Sequence, residues 1–172
     1  GAMIIGMDRT PQGRIWGCWT GTGDKKDGYF LLATCDDGET WSKPRLAVGA
    51  RTESRQKLGG ALVGNLWTDP KGRLWLFFDQ QLGDVKGRIT NWFIRCDHPD
   101  SDEPEWSAPV QFAEGSTLNK PTVLQNGDWL LPVSDWHKKT ARVYASNDEG
   151  ASWSERGHVQ FPDWEFDEHM MV

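Results

Sequence analysis

The chain has 172 residues, 26% of them charged and 37% hydrophobic, with 11 tryptophans and a formal net charge of −6. That length bounds it to one ordinary domain with a substantial core, and an acidic balance with no run of Lys or Arg argues against nucleic acid or an anionic membrane as partner. No apolar stretch approaches a membrane-spanning length, and Cys18, Cys35 and Cys96 lack metal or redox spacing, so they read as small core residues and neither metal nor cofactor is expected.

Gly1-Ala2-Met3 reads as a tag remnant, which leaves the compartment open because a signal peptide could have been removed with it. Turn signals then recur. Pro11-Gln12-Gly13 leads into Arg14-Ile15-Trp16, Pro70-Lys71-Gly72 into Arg73-Leu74-Trp75, and Gln125-Asn126-Gly127 into Asp128-Trp129-Leu130. Each is a glycine turn, free to take φ > 0, followed by an apolar strand. The three glycines are 59 and 55 residues apart, about the length of one four-stranded antiparallel unit.

A second signal is interleaved with the first. Thr34-Cys35-Asp36-Asp37-Gly38-Glu39-Thr40-Trp41 and Ser146-Asn147-Asp148-Glu149-Gly150-Ala151-Ser152-Trp153 share the pattern Ser/Thr-x-Asp-x-Gly-x-Ser/Thr-Trp. A degenerate copy begins at Arg95-Cys96-Asp97 and reaches Trp106-Ser107 after a longer loop. This is the chemistry of a self-stapled turn: hydroxyl and carboxylate bond the loop's own N–H groups, and the indole lies over the turn. Two repeats in register predict an all-β repeat protein, with units over about 4–50, 62–114 and 118–161 and the first strand of a fourth over 166–172. Leu74-Trp75-Leu76-Phe77-Phe78 is apolar on both faces, as in a strand sandwiched between sheets. Pro132 sits in the corresponding strand of the third unit and predicts a bulge there.

The interleaved motif resembles the Asp box of the sialidase (neuraminidase) superfamily, whose members are β-propellers, usually of six blades. The resemblance implies a sialidase-type β-propeller of about three four-stranded blades plus one extra strand, half of a ring. It also implies structural turn roles for Thr34, Asp36, Gly38, Trp41, Asp97, Trp106, Ser146, Asp148, Gly150 and Trp153. Asn119-Lys120-Pro121 and Asp167-Glu168-His169-Met170 are similar to the bacterial branch known as BNR-repeat sialidase-like. The superfamily's Arg-Ile-Pro segment, its three carboxylate-binding arginines and its Tyr–Glu nucleophile pair have no placeable counterpart: Arg14-Ile15-Trp16 follows a turn, and Tyr29 and Tyr144 fall in third strands.

Antiparallel order puts turns 1–2 and 3–4 of each blade on one face of the disc and loops 2–3 and 4–1 on the other, the top, where chemistry is expected. Asp167, Glu168 and His169 are the catalytic candidates, two carboxylates and an imidazole among aromatic and Met side chains whose burial could raise a carboxyl pKa for acid/base work; a capped loop is the alternative. Asn65, Asn119 and Lys120 start inner strands, while Gln80 and Asp135-Trp136-His137 end second strands on the same face, with the Trp136 ring suited to sugar stacking. Arg55 and Lys120 could meet a sugar carboxylate, a solvated cation being the alternative.

The function the resemblance implies is that of a carbohydrate-active, sialidase-like glycoside hydrolase acting on a glycosidic bond of an acidic or deoxy sugar, incomplete as a single chain. A non-catalytic glycan-binding or assembly module is the alternative. Three blades of a six-bladed ring leave two broad apolar faces open, so a homodimer closing the ring head to tail is expected, with carbohydrate as the ligand.

Overall fold

The computed structural model describes residues 4–21, 29–49, 58–82, 88–163 and 169–171, with the side chains at 4–5, 58–63 and 82 excepted. The regular elements are β1 (Ile4–Arg9), β2 (Ile15–Thr20), β3 (Tyr29–Cys35), β4 (Leu46–Gly49), β5 (Leu58–Thr68), β6 (Leu74–Leu82), β7 (Ile89–Cys96), β8 (Val110–Glu114), β9 (Thr122–Val123), β10 (Trp129–Asp135), β11 (Thr140–Ser146) and β12 (Ser154–Gln160). They form three antiparallel sheets in chain order, β1-β2-β3-β4, β5-β6-β7-β8 and β9-β10-β11-β12. These are three consecutive blades of a β-propeller, and the predicted fold class holds.

The glycine repeat builds the same turn three times. Thr10, Asp69 and Leu124 each donate to the carbonyl four residues on, and Gly13, Gly72 and Gly127 donate back to Thr10, Asp69 and Leu124. The glycines have φ of 100°, 82° and 90°, a region that side chains with a Cβ rarely adopt.

Each blade buries one face on the next. Blades one and two enclose Trp16, Cys18, Phe30, Leu32, Leu66, Leu74, Leu76 and Phe78. Blades two and three enclose Trp67, Trp75, Phe77, Phe93, Trp129 and Leu131. The motif tryptophans serve these interfaces. Trp106 of blade two stands edge-on to Trp16 of blade one at 5.6 Å, and Trp153 of blade three packs on Phe77 of blade two at 5.8 Å. Trp41 differs from these two. It lies over Gly17 of its own blade and is 43% exposed, because the face it covers points away from blade two.

One expectation is corrected. Pro132 pairs with Val143 in unbroken register and carries no bulge; the irregularity lies on the far side of β11, between Val143 and Tyr144. The proline is tolerated because β9 pairs β10 only at Trp129 and Leu130. Beyond that the inner edge of Pro132 meets no strand, and its carbonyl accepts the Thr117 hydroxyl at 2.8 Å. Of the strand expected over 166–172, only His169–Met171 lies among the described residues, and it pairs with no strand there. It repeats the lead-in Ser116–Thr117 of blade three, since His169 contacts Ser134 as Ser116 contacts Asp79, and Asp79 and Ser134 both stand seven residues after a turn glycine.

Candidate functional site

The bottom turns are stapled from within. Asp148 accepts from the Ser146 hydroxyl at 2.7 Å and the Ser152 N–H at 2.9 Å, and Gly150, at φ 84°, donates to Ser146 Oγ at 2.8 Å. Hydrogen bonds to its charged form, first from the Ser152 hydroxyl and then from the Ser152 N–H and Ser146 hydroxyl, hold the Asp148 carboxyl down at about 2. In the first copy the same work has slid one residue along the chain. Asp37, not Asp36, accepts from Glu39 N–H at 2.8 Å and Thr40 N–H at 2.7 Å, and the Cys35 thiol replaces the serine hydroxyl, donating to Asp37 at 3.2 Å. Asp37 is accordingly held well below the usual carboxylate range by those backbone donors.

The expected turn role of Asp36 is therefore corrected, because its carboxylate pairs with Arg14 at 2.8 Å. Thr34 does not staple the turn either; its N–H donates to Ser42 Oγ at 3.0 Å, beyond the tryptophan. Asp97 pairs with Arg95 at 2.6 Å instead of the turn backbone. A longer loop lets blade two reach blade one there, with the Pro99 carbonyl on Trp16 Nε1 at 3.2 Å and the Ser101 carbonyl on Arg14 at 2.7 Å. A cleft of about 520 Å³ opens beside this loop between Gln12, Lys71, His98 and Asp100. It lies on the turn face, where Asp100 already accepts from Thr10.

On the top face the inner strands are tied to one another. Asp79 is fully buried at the end of β6 and accepts from Asn91 Nδ2, Ser116 Oγ and the Thr117 N–H. Burial pushes its carboxyl well up, and those three donors only partly oppose the shift. Gly115 allows Ser116 and Ser134 to exchange backbone hydrogen bonds at 2.7 Å: its φ is 114°, and a Cβ there would lie 2.5 Å from the Ser134 carbonyl oxygen. Asn65 is buried, with Nδ2 3.4 Å from the Thr117 carbonyl oxygen, and Gln80 lends its carbonyl to Thr90.

The predicted polar residues are mostly engaged with the protein itself. Lys120 donates to the Met7 carbonyl at 2.8 Å and lies 3.2 Å from Asp8, whose carboxylate also accepts the Thr68 N–H at 2.7 Å. It thereby joins blades one, two and three at the channel wall and is not an unpaired cation. Asn119 donates to the His169 carbonyl at 2.9 Å. Both ring nitrogens of His169 are used, Nδ1 at 3.1 Å from Ser134 Oγ and Nε2 at 2.9 Å from the Arg142 carbonyl oxygen. Since a carbonyl only accepts, Nε2 carries the proton and Nδ1 of the neutral ring accepts from Ser134. The imidazole anchors the C-terminal segment through both of its nitrogens. Asp167, Glu168 and Arg55 lie outside the described residues.

Asp135, Trp136 and His137 do come together, in a top-face cleft of about 290 Å³ between blades two and three, where Lys138, Arg88 and Glu114 join them. Arg88 pairs with Glu114 at 2.7 Å. Asp135 is buried and holds Arg142 at 3.0 Å and Lys138 at 3.5 Å. Arg88 and Glu114 escaped sequence reasoning, since they flank β7 and β8 and carry no motif; only the packing of the two blades brings them to Trp136.

No functionally curated protein is detectably similar to this chain in sequence. Solved structures are similar in fold. A crystal structure of a protein of unknown function from Dyadobacter fermentans DSM 18053 superposes with a TM-score of 0.64 at 15% identity, over 94% of this chain and 55% of that one. A Hadza microbial sialidase gives 0.67 at 16%, over 92% of this chain and 38% of its own. A family 117 glycoside hydrolase from the marine bacterium Zobellia galactanivorans gives 0.63 at 13%, over 90% and 55%. The chain thus spans about half the length of such proteins, or less. In sequence, residues 19–169 match the BNR repeat-like domain model, and the chain belongs to that family.

Proposed function

We propose that the chain is a carbohydrate-active unit of a sialidase-like propeller whose top face binds a glycan. The observation that carries this reading is the cleft where an indole, that of Trp136, stands among paired carboxylates and cations, the mixture of stacking surface and hydrogen-bonding groups that suits a sugar ring. The fold shared with a sialidase and a glycoside hydrolase supports it.

Within this reading Asp167 or Glu168 supplies the carboxylate for hydrolysis, because they are the two residues just before His169, which is anchored on the top face. The substrate class follows from charge. An acidic sugar is best held by a cation free of a carboxylate partner, and among the described residues Lys120, Arg88 and Lys138 all have such partners, which favours a neutral or deoxy sugar. Kinetics on a panel of aryl glycosides test the assignment, with Asp167→Asn and Glu168→Gln as variants. Loss of turnover in one of them, with an unchanged urea midpoint, is expected; full activity in both would remove these carboxylates from the mechanism.

A second reading, a glycan-binding module without chemistry, is favoured by the engagement of His169 and Lys120 within the protein. It predicts binding of oligosaccharides with no turnover of any. For assembly, the outward face of blade one leaves Trp41, Met7 and Tyr29 exposed, the same kind of face that takes an adjoining blade twice within the chain. A second copy, docked head to tail, is the proposed partner.

A further inference from the structure

We infer that the cleft between blades two and three is a subsite for one uncharged pyranose ring of a glycan, stacked on Trp136, with specificity against acidic sugars set by Glu114 and Asp135. The inference rests on the reading of the top face as glycan-binding and names the ligand class of one site on it. A volume of about 290 Å³ is at the small end of ligand sites and suits a single ring better than a long segment.

The charge pattern selects the ring. Arg88 and Glu114 pair at 2.7 Å, and their side chains remain 59% and 42% exposed. A five-donor guanidinium and a carboxylate left open to solvent to this extent complement sugar hydroxyls. Lys138 is similarly held by Asp135 and remains 61% exposed. A ligand carboxylate approaching Arg88 or Lys138 would sit beside Glu114 or Asp135 as a like charge. A hydroxyl meets no such penalty. The indole nitrogen of Trp136 adds a further donor, buried and without an acceptor among the described residues, which a ring hydroxyl entering the cleft can satisfy.

Isothermal titration of the whole chain with cellohexaose, xylohexaose and mannohexaose, against hexagalacturonate and 3′-sialyllactose, tests this. At least one neutral oligosaccharide should bind, with an affinity that changes less than about two-fold between 20 and 500 mM NaCl, since no ion pair with the ligand is screened. Trp136→Ala should weaken that binding at least about ten-fold and Trp136→Phe should restore most of it, as loss and return of a stacking face. Glu114→Gln, at an exposed position that leaves folding intact, frees Arg88 and should raise hexagalacturonate affinity about ten-fold with a steep salt dependence. Tighter binding of the acidic ligands by the unsubstituted chain overturns the subsite's specificity. Neutral binding that survives Trp136→Ala overturns the subsite and leaves the glycan-binding top face standing. Binding of none of the five overturns both.

Discussion

Trp153 of blade three meets Phe77 of blade two with ring centroids 5.8 Å apart and planes at 87°, and the same indole touches Phe112 at 5.7 Å and Trp129 at 6.4 Å. The hairpin-turn tryptophan of one blade is thus a core residue of the interface with its neighbour. Trp153→Ala removes it from that aromatic cluster and should cost roughly 3 kcal/mol, the lower end of large aromatic truncations because the ring is only half-buried. Urea denaturation measures this. A loss below about 1 kcal/mol would show that the cluster does not hold the blades together.

The slide of the turn staple from Asp36 to Asp37 separates two neighbouring carboxylates. Asp37→Asn should lower the urea midpoint more than Asp36→Asn, since Asp37 bonds two turn N–H groups and Asp36 only the Arg14 side chain. Equal effects, or the reverse order, would return the staple to Asp36.

Asp148 and Asp79 should respond to pH with opposite signs. Asp148 titrates near 3.9 when unfolded and near 2 in the fold. The unfolded chain then binds more protons in this range, so the contribution is present above about pH 4 and is lost as pH falls towards 2. Asp148→Asn should flatten the acid limb of the urea midpoint.

Asp79 is shifted upward by burial, so the fold holds its proton where the unfolded chain has released it. Its contribution is complete below about pH 3.9 and declines as pH rises through the raised folded value. Asp79→Asn keeps a neutral side chain in place and should remove that decline. A midpoint profile in which the variant and the unsubstituted chain run parallel from pH 4 to 9 would show that Asp79 does not bind its proton more tightly in the fold.

Closure by a second copy predicts a concentration-dependent mass by light scattering, approaching twice the 19.5 kDa of the chain, with Trp41→Glu shifting it back to the single chain. A fixed mass of 19.5 kDa at all concentrations rules the closed dimer out.

The sequence by itself determined the blades. Gly13, Gly72 and Gly127 need φ > 0, and the tryptophans that follow each turn must leave water, so period and alternation specify strands and sheets through local steric and solvation rules. Three-dimensional packing decided which polar groups are left to act. Lys120 and Asp8 are 112 residues apart in the chain and become an ion pair only when the inner strands converge at the channel. Arg88 and Glu114 reach Trp136 only across a blade boundary. Asp36 and Asp37 are equal candidates as letters, and the one-residue shorter turn after Cys35 chose between them. Electrostatic pairing depends on distances of a few ångströms, which a repeat period near 55 residues does not encode.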